Sequence, residues 1–129
     1  MNVWYEELTK PFLTPPNWIF GPVWTVLYIM LACSIVLYFR TPAKNYHTST
    51  IIVISIHLVF NFAWTFLFFR LQSPLLALID IILLGLTLIG IFFLFWKSSI
   101  VASALLVPYL LWVVFATYLN AGFYLLNRT

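Results

Sequence analysis

His57, Asn61 and Trp64 stand four and three residues apart in one apolar stretch, a spacing that on a helix sets an imidazole, an amide and an indole along one face. Trp112, Ala116 and Asn120 form a second stripe at steps of four, with Phe115 and Leu119 beside it. A third stretch holds Trp18, Trp24 and Tyr28, the last two one turn apart. Such a set suits recognition of a flat, largely apolar molecule, with indoles stacking on its faces and a few amides orienting its polar edges. The same His57, Asn61 and Asn120 also serve as hydrogen-bonding glue between helices, worth about 0.6 kcal/mol each in a membrane. Asp80 is the one carboxylate inside an apolar stretch. A charge near mid-bilayer costs about 2.5 to 3.5 kcal/mol, so Asp80 must face the interior, pair or hold a proton. It reads first as a buried structural carboxylate bonded to a neighbouring amide, indole or arginine, and second as a proton-coupled or ligand-orienting group.

Conventional turnover finds little support, because no Ser-His-Asp set, His and Cys cluster or glycine-rich phosphate loop is present. His47 and His57 are ten apart, the first assigned to a loop, and no metal site is expected. The single Cys33 excludes an intramolecular disulfide and reads as a small packing residue.

The elements that must position these residues follow from composition. Of 129 residues, 64% are hydrophobic and 7% charged, too apolar for a small soluble domain with its large relative surface. The six Lys and Arg are scattered singly, which excludes nucleic-acid binding and suits the punctuation of membrane spans. Uncharged stretches of about 20 residues each cross a hydrocarbon core of roughly 30 Å. They predict an all-α integral-membrane bundle, a single domain over 1–129, with spans at 18–39, 50–69, 74–96 and 100–126. Runs such as Ile81-Ile82-Leu83-Leu84 lack the alternation of a β-barrel.

Asn17 and Ser73 are expected helix caps, with Pro74 at a first helical position. Pro22 and Pro108 are expected to bend spans one and four. Residues 1–17 hold no signal-peptide core and read as an interfacial lid, extended at Pro11, Pro15 and Pro16, with aromatics in the headgroup layer. Tyr46 and Trp96 read as interface anchors. Orientation is undecided by charge: Lys10, Arg70 and Arg128 on one side balance Arg40, Lys44 and Lys97 on the other. Gly85 and Gly90, five apart, make no close-packing motif for a homodimer.

The ordered series Trp4-Tyr5, Lys10-Pro11 and Pro15-Pro16-Asn17-Trp18-Ile19-Phe20-Gly21-Pro22-Val23-Trp24-Thr25-Val26-Leu27-Tyr28 resembles the translocator-protein family, also called tryptophan-rich sensory or TspO/MBR proteins. Asn61-Phe62-Ala63-Trp64 with Phe68-Phe69, Ala77-Leu78-Ile79-Asp80, Pro108-Tyr109-Leu110-Leu111-Trp112 and Phe115-Ala116-Thr117-Tyr118-Leu119-Asn120 continue the likeness in order, nearly end to end. The resemblance implies a pocket for tetrapyrroles such as protoporphyrin IX and heme-related compounds, as ligands rather than required cofactors, and for benzodiazepine-type compounds. Its walls would be Trp24, Tyr28, Asn61, Trp64, Asp80, Trp112, Phe115, Ala116 and Asn120, with Pro15 and Pro16 in the lid. A porphyrin would stack between indoles of spans one and four. Some bacterial relatives are credited with light-dependent porphyrin breakdown, for which Trp24 and Trp112 would be the photochemical candidates.

The family has five spans, and the one not seen here precedes the Trp-Tyr and Lys-Pro block. Either the start lies upstream, or this is a four-span form whose missing wall is lipid or a second copy of the chain. Leu119, Tyr124 and Arg128 satisfy a loose sterol pattern, but Ala121 stands where animal members carry the tyrosine of their cholesterol motif. The expected location is a bacterial cell membrane, or a mitochondrial outer membrane in a eukaryote. The competing readings are a small proton-coupled multidrug exporter, resting on Asp80 alone, and a structural accessory bundle.

Overall fold

The computed structural model describes residues 3–42 and 47–127, all of them helix, turn or connecting segment. The helices are α1 (Val3–Glu7), α2 (Asn17–Arg40), α3 (His47–Thr65), α4 (Pro74–Trp96), α5 (Ile100–Ala104) and α6 (Val107–Leu126), with a π turn at Phe66–Arg70. Among the described residues, four helical segments are long and apolar enough to cross a bilayer: Trp18–Arg40, His47–Arg70, Pro74–Trp96 and Ile100–Leu126. Tyr46, Lys44 and Arg128 lie outside the described residues.

α4 forms the centre. Its buried residues Ala77, Asp80, Ile81, Leu84, Leu88, Ile91 and Phe95 recur at steps of one, three and four, so one continuous face meets the bundle. Ser73 Oγ accepts the Leu76 amide at 3.2 Å and Pro74 opens the helix, where a missing amide loses no bond. α3 packs on one side of α4 and α6 on the other, while α2 rests on α5 and α6. Two serines fasten α5 in place: Ser34 Oγ donates to the Ala102 carbonyl, and Ser103 Oγ to the Phe92 carbonyl. At the far end of the bundle Tyr38 stacks on Phe95 at 4.7 Å and its hydroxyl meets His47 Nδ1 at 2.8 Å.

Several expectations are corrected. Pro108 breaks the fourth span rather than bending it. The chain leaves α5 at Ala104 and restarts at Val107, placing Pro108 in the first turn of α6. α3 already runs at His47, which is therefore helical and not in a loop, and it ends in the π turn, where the Leu71 amide bonds the Phe66 carbonyl. The position before α2 is Pro16, with no side-chain cap, so Asn17 is the first helical residue rather than the cap. α2 continues through Pro22. Cys33 is exposed, because the buried stripe of α2 passes through Leu27, Leu31, Ser34 and Tyr38 and leaves Cys33 off it. Trp18 and Trp96 stand exposed at helix ends, where an indole suits the bilayer interface.

The amino-terminal segment departs most from the extended path expected of it. Val3–Glu7 is helical, and Tyr5 is buried rather than held in the headgroup layer. Its ring lies 5.2 Å from Phe123, 5.8 Å from Phe69, 6.2 Å from Phe68 and 6.4 Å from Phe20. After α1 a turn returns the Thr14 amide and hydroxyl to the Pro11 carbonyl, with Leu13 at φ 72° in the third position, which glycine or asparagine usually fills. The segment is then pinned to α6. The Thr9 amide donates to Asn127 Oδ1 and Asn127 Nδ2 donates to the Thr9 carbonyl, both at 2.8 Å, while the Tyr118 hydroxyl donates to the Phe12 carbonyl at 2.6 Å.

A candidate aromatic ligand pocket

Beneath that lid lies a cavity of about 270 Å³. α2 lines it with Phe20, Gly21, Trp24 and Tyr28, and α3 with Asn61, Trp64 and Thr65. The π turn adds Phe68 and Phe69, α4 adds Ile81 and Leu84, and α6 adds Trp112, Ala116, Leu119, Asn120 and Phe123. Tyr5 closes one end. Among the residues singled out from sequence, Trp24, Tyr28, Asn61, Trp64, Trp112, Ala116 and Asn120 are brought together.

Asp80, Phe115, Pro15 and Pro16 are not in the lining. Asp80 is buried on α4 beside the lining residue Ile81, and its Oδ2 has no hydrogen-bond partner, in contrast to the amide, indole or arginine bond expected. Phe115 turns instead toward Trp112 at 5.4 Å and Tyr118 at 6.2 Å. Pro15 and Pro16 lead into α2, and the part of the lid that reaches the cavity is Tyr5. Sequence reasoning passed over Tyr5, Phe20, Gly21, Thr65, Phe68, Phe69, Ile81, Leu84 and Phe123 as pocket residues. Helical spacing was the signal that could have found several of them: Phe20 and Gly21 stand one turn before Trp24, Thr65 one turn after Asn61, Phe68 one turn after Trp64 and Phe123 one turn after Asn120.

The indoles are not parallel plates. Trp24 meets Trp112 edge to face, at 6.2 Å and 90°, rather than as two parallel plates. The rest of the aromatic surface is built by Trp24 and Trp64, 6.3 Å apart and tilted by 31°, and by Phe68, stacked on Trp64 at 5.1 Å and 19°.

Behind that surface the polar groups are mostly committed to one another. The Thr87 hydroxyl donates to the Leu84 carbonyl at 2.8 Å, so its oxygen is free to accept His57 Nδ1–H at 2.9 Å. His57 Nε2 is then an acceptor, 3.1 Å from Asn61 Nδ2 and 3.0 Å from the Tyr109 hydroxyl, and Asn61 Nδ2 also donates to that hydroxyl at 2.7 Å. The Asn61 amide nitrogen is thus committed to His57 and Tyr109, and its carbonyl oxygen can accept from the Tyr109 hydroxyl at 3.1 Å. Asn120 Oδ1 accepts Trp64 Nε1–H at 2.8 Å and its amide donates to the Pro74 carbonyl at 2.9 Å. Two buried lining atoms stand without a partner, the Tyr5 hydroxyl and Trp112 Nε1. Burial pushes the Tyr5 phenol up from its usual range, so it meets the cavity as a neutral hydroxyl.

His57 therefore links α3, α4 and α6. His57→Leu is expected to lower bundle stability by about 1–2 kcal/mol, the sum of bonds that are individually weak in a membrane. An SDS titration followed by circular dichroism checks it. An unchanged midpoint would show that the network is dispensable.

Comparison with known proteins settles what kind of bundle this is. The TspO/MBR family matches residues 1–125. The chain belongs to that family. It is 44% identical over 129 residues to the tryptophan-rich protein TspO of Archaeoglobus fulgidus, covering 98% of this chain and 82% of that one. The corresponding protein of Chlorobaculum tepidum is 41% identical over 125 residues, covering 96% and 79%. The translocator protein of Homo sapiens is 31% identical over 120 residues, covering 91% and 70%. As a TspO/MBR protein with four apolar spanning segments, it is an integral multi-pass membrane protein whose aromatic clusters lie inside the bundle. No group of three or more His, Cys, Asp or Glu able to hold a metal occurs among the described residues.

Proposed function

We propose that the chain binds a tetrapyrrole such as protoporphyrin IX, or another flat hydrophobic compound, in the pocket under the lid, and acts as a sensor, carrier or regulator of porphyrin metabolism. The observation that carries this reading is an intrabundle cavity bordered by Trp24, Trp64 and Trp112, with apolar walls and two unpartnered polar atoms. A macrocycle would pack against the indoles of Trp24 and Trp64, and Trp112 Nε1 would donate to an acceptor on its edge. Apolar walls fit the faces of the ring. His57 Nε2 is engaged by Asn61 and Tyr109, so His57 supplies no axial ligand and a metalloporphyrin would be held by its faces and edges. Because the cavity is slightly below the roughly 300–1,000 Å³ common for small-molecule sites, a full tetrapyrrole would extend beyond it.

Quenching of tryptophan fluorescence by protoporphyrin IX in nanodiscs tests the proposal. Saturable quenching is expected, with Trp24→Ala and Trp112→Ala each weakening affinity about tenfold, the scale of one lost aromatic stack or buried hydrogen bond. Circular dichroism of both variants should remain that of the parent. Linear quenching insensitive to either substitution would mean that porphyrin merely dissolves in the lipid.

A further inference from the structure

Trp64 touches two successive phenylalanines, which a regular α-helix does not arrange. At 3.6 residues per turn the side chain four positions on lies about 40° round the axis, and the one five on about 140° round, on the opposite flank. Yet Phe68 stacks on Trp64 at 5.1 Å and 19°, and Phe69 meets the same indole nearly perpendicular, at 6.0 Å and 84°.

The π turn makes the difference. The Leu71 amide bonds the Phe66 carbonyl, five back rather than four, and the Ser73 amide bonds the Leu67 carbonyl, six back where a Schellman ending spans five. One extra residue is thus taken up before Gln72, which ends the turn at φ 52°, a left-handed position that glycine usually fills. With more residues to the turn, successive side chains are rotated by less than the usual amount. Phe68 therefore comes nearly into line above Trp64, and Phe69 moves back toward it.

The remaining edge of the indole is tied as well, since Trp64 Nε1–H is held by Asn120 Oδ1 at 2.8 Å. Tyr5 packs on both phenylalanines, 6.2 Å from Phe68 and 5.8 Å from Phe69, so the clamp is itself backed. Tyr5, Trp64, Phe68 and Phe69 all line the cavity. A side chain fixed before binding has no rotamer freedom to lose on binding. That gain goes to a ligand whose surface matches the fixed plane, and a puckered ligand, against which the indole would have to turn, forfeits it.

We propose that the π turn, by holding Trp64 in one orientation through Phe69, gives the pocket a preference for planar, fully conjugated tetrapyrroles over their reduced, puckered porphyrinogens. The proposal rests on the pocket being a tetrapyrrole site. Phe69 is a positioning residue, acting through Trp64.

Protoporphyrin IX and protoporphyrinogen IX carry the same side chains and differ in the saturation of the bridging carbons, which makes them the pair to compare. In nanodiscs without oxygen, quenching of tryptophan fluorescence reads protoporphyrin IX directly, and its displacement reads the porphyrinogen. The parent protein should prefer the planar ring by about tenfold or more. Two variants remove the clamp by different means. Phe69→Leu keeps the turn and loses the ring. Deletion of Leu71, which is exposed and outside the pocket lining, keeps both phenylalanines. It lets the Ser73 amide reach the Leu67 carbonyl across the regular five positions, which turns Phe69 off the indole. Each change should cut the preference about fivefold, chiefly through weaker binding of protoporphyrin IX. The two combined should cut it no further, because they act on one contact. Leu71→Ala should match the parent.

Equal affinities in the parent, or an unchanged ratio in either variant, would overturn the proposal. So would equal losses of both ligands, because a turn that merely holds the bundle together lowers each alike. If the deletion does not fold, Phe69→Leu decides by the same ratio. Absence of saturable quenching in the parent would instead remove the binding reading, and this proposal with it.

Discussion

Trp64→Ala is expected to destabilise the bundle by about 3 kcal/mol, at the low end for an aromatic truncated to alanine because Trp64 is half-buried and apolar burial drives little within lipid, so packing carries the loss. Trp64 is the side chain on which three elements converge. Its ring stacks on Phe68 at 5.1 Å, touches Phe69 at 6.0 Å and reaches Trp24 of α2 at 6.3 Å. Its indole N–H is the donor to Asn120 Oδ1, linking α3 to α6. Removal leaves a hole beside an already existing cavity and a buried carbonyl without its partner. Trp64→Phe separates the two losses, since it keeps the stack and forfeits only the hydrogen bond, for a cost of about 1 kcal/mol. SDS-driven unfolding of parent, Trp64→Phe and Trp64→Ala should therefore give three ordered midpoints. Coincident midpoints for parent and alanine variant would show that Phe68 and Phe69 close the gap unaided.

The convergence on Trp64 also marks what could be read from the chain. The stripes His57-Asn61-Trp64 and Trp112-Ala116-Asn120 are visible as spacing, because helical periodicity places such residues on one face whatever surrounds them. The start of α4 is visible in Ser73-Pro74 for an equally local reason. The stripe does not reveal its partners. That His57 bonds Thr87 and Tyr109, or that Trp64 bonds Asn120, depends on how α3, α4 and α6 pack.

Other features carry no local mark. The π turn at Phe66–Arg70 inserts an extra residue per turn without glycine or proline, and it delivers both Phe68 and Phe69 to the cavity. Tyr5 enters the pocket because the lid folds back on α6, a contact between positions more than 100 residues apart, as the Tyr118–Phe12 bond shows. Pro108 was legible as a disruption, but whether it bends or breaks a helix is set by its neighbours. Here a break is stabilised by the Leu106 amide bonding the Ser103 carbonyl at 3.0 Å, while the Ser99 side chain caps α5.

That same lid contact yields the second large effect. A Cβ on Gly122 would lie 2.5 Å from Pro11 Cβ and 2.8 Å from Pro11 Cγ, closer than carbon atoms tolerate. Either α6 or the lid must move. α6 at this level is fixed by Phe123, which is buried against Tyr5 and Phe68, and by Asn120, whose amide holds the Pro74 carbonyl. The lid around Pro11 is fixed to α6 by three hydrogen bonds, at Thr9 and Phe12, all of them exposed, where water can take the place of a lost partner. Gly122→Val should accordingly lift the lid, with the overpacking strain of about 2 kcal/mol released by breaking those bonds. Exchange of the Thr9 amide, which donates to Asn127 Oδ1, would then accelerate about 30-fold, while amides along α4 keep their protection. Unaltered Thr9 exchange together with faster exchange along α6 would mean that the helix yields and the lid does not.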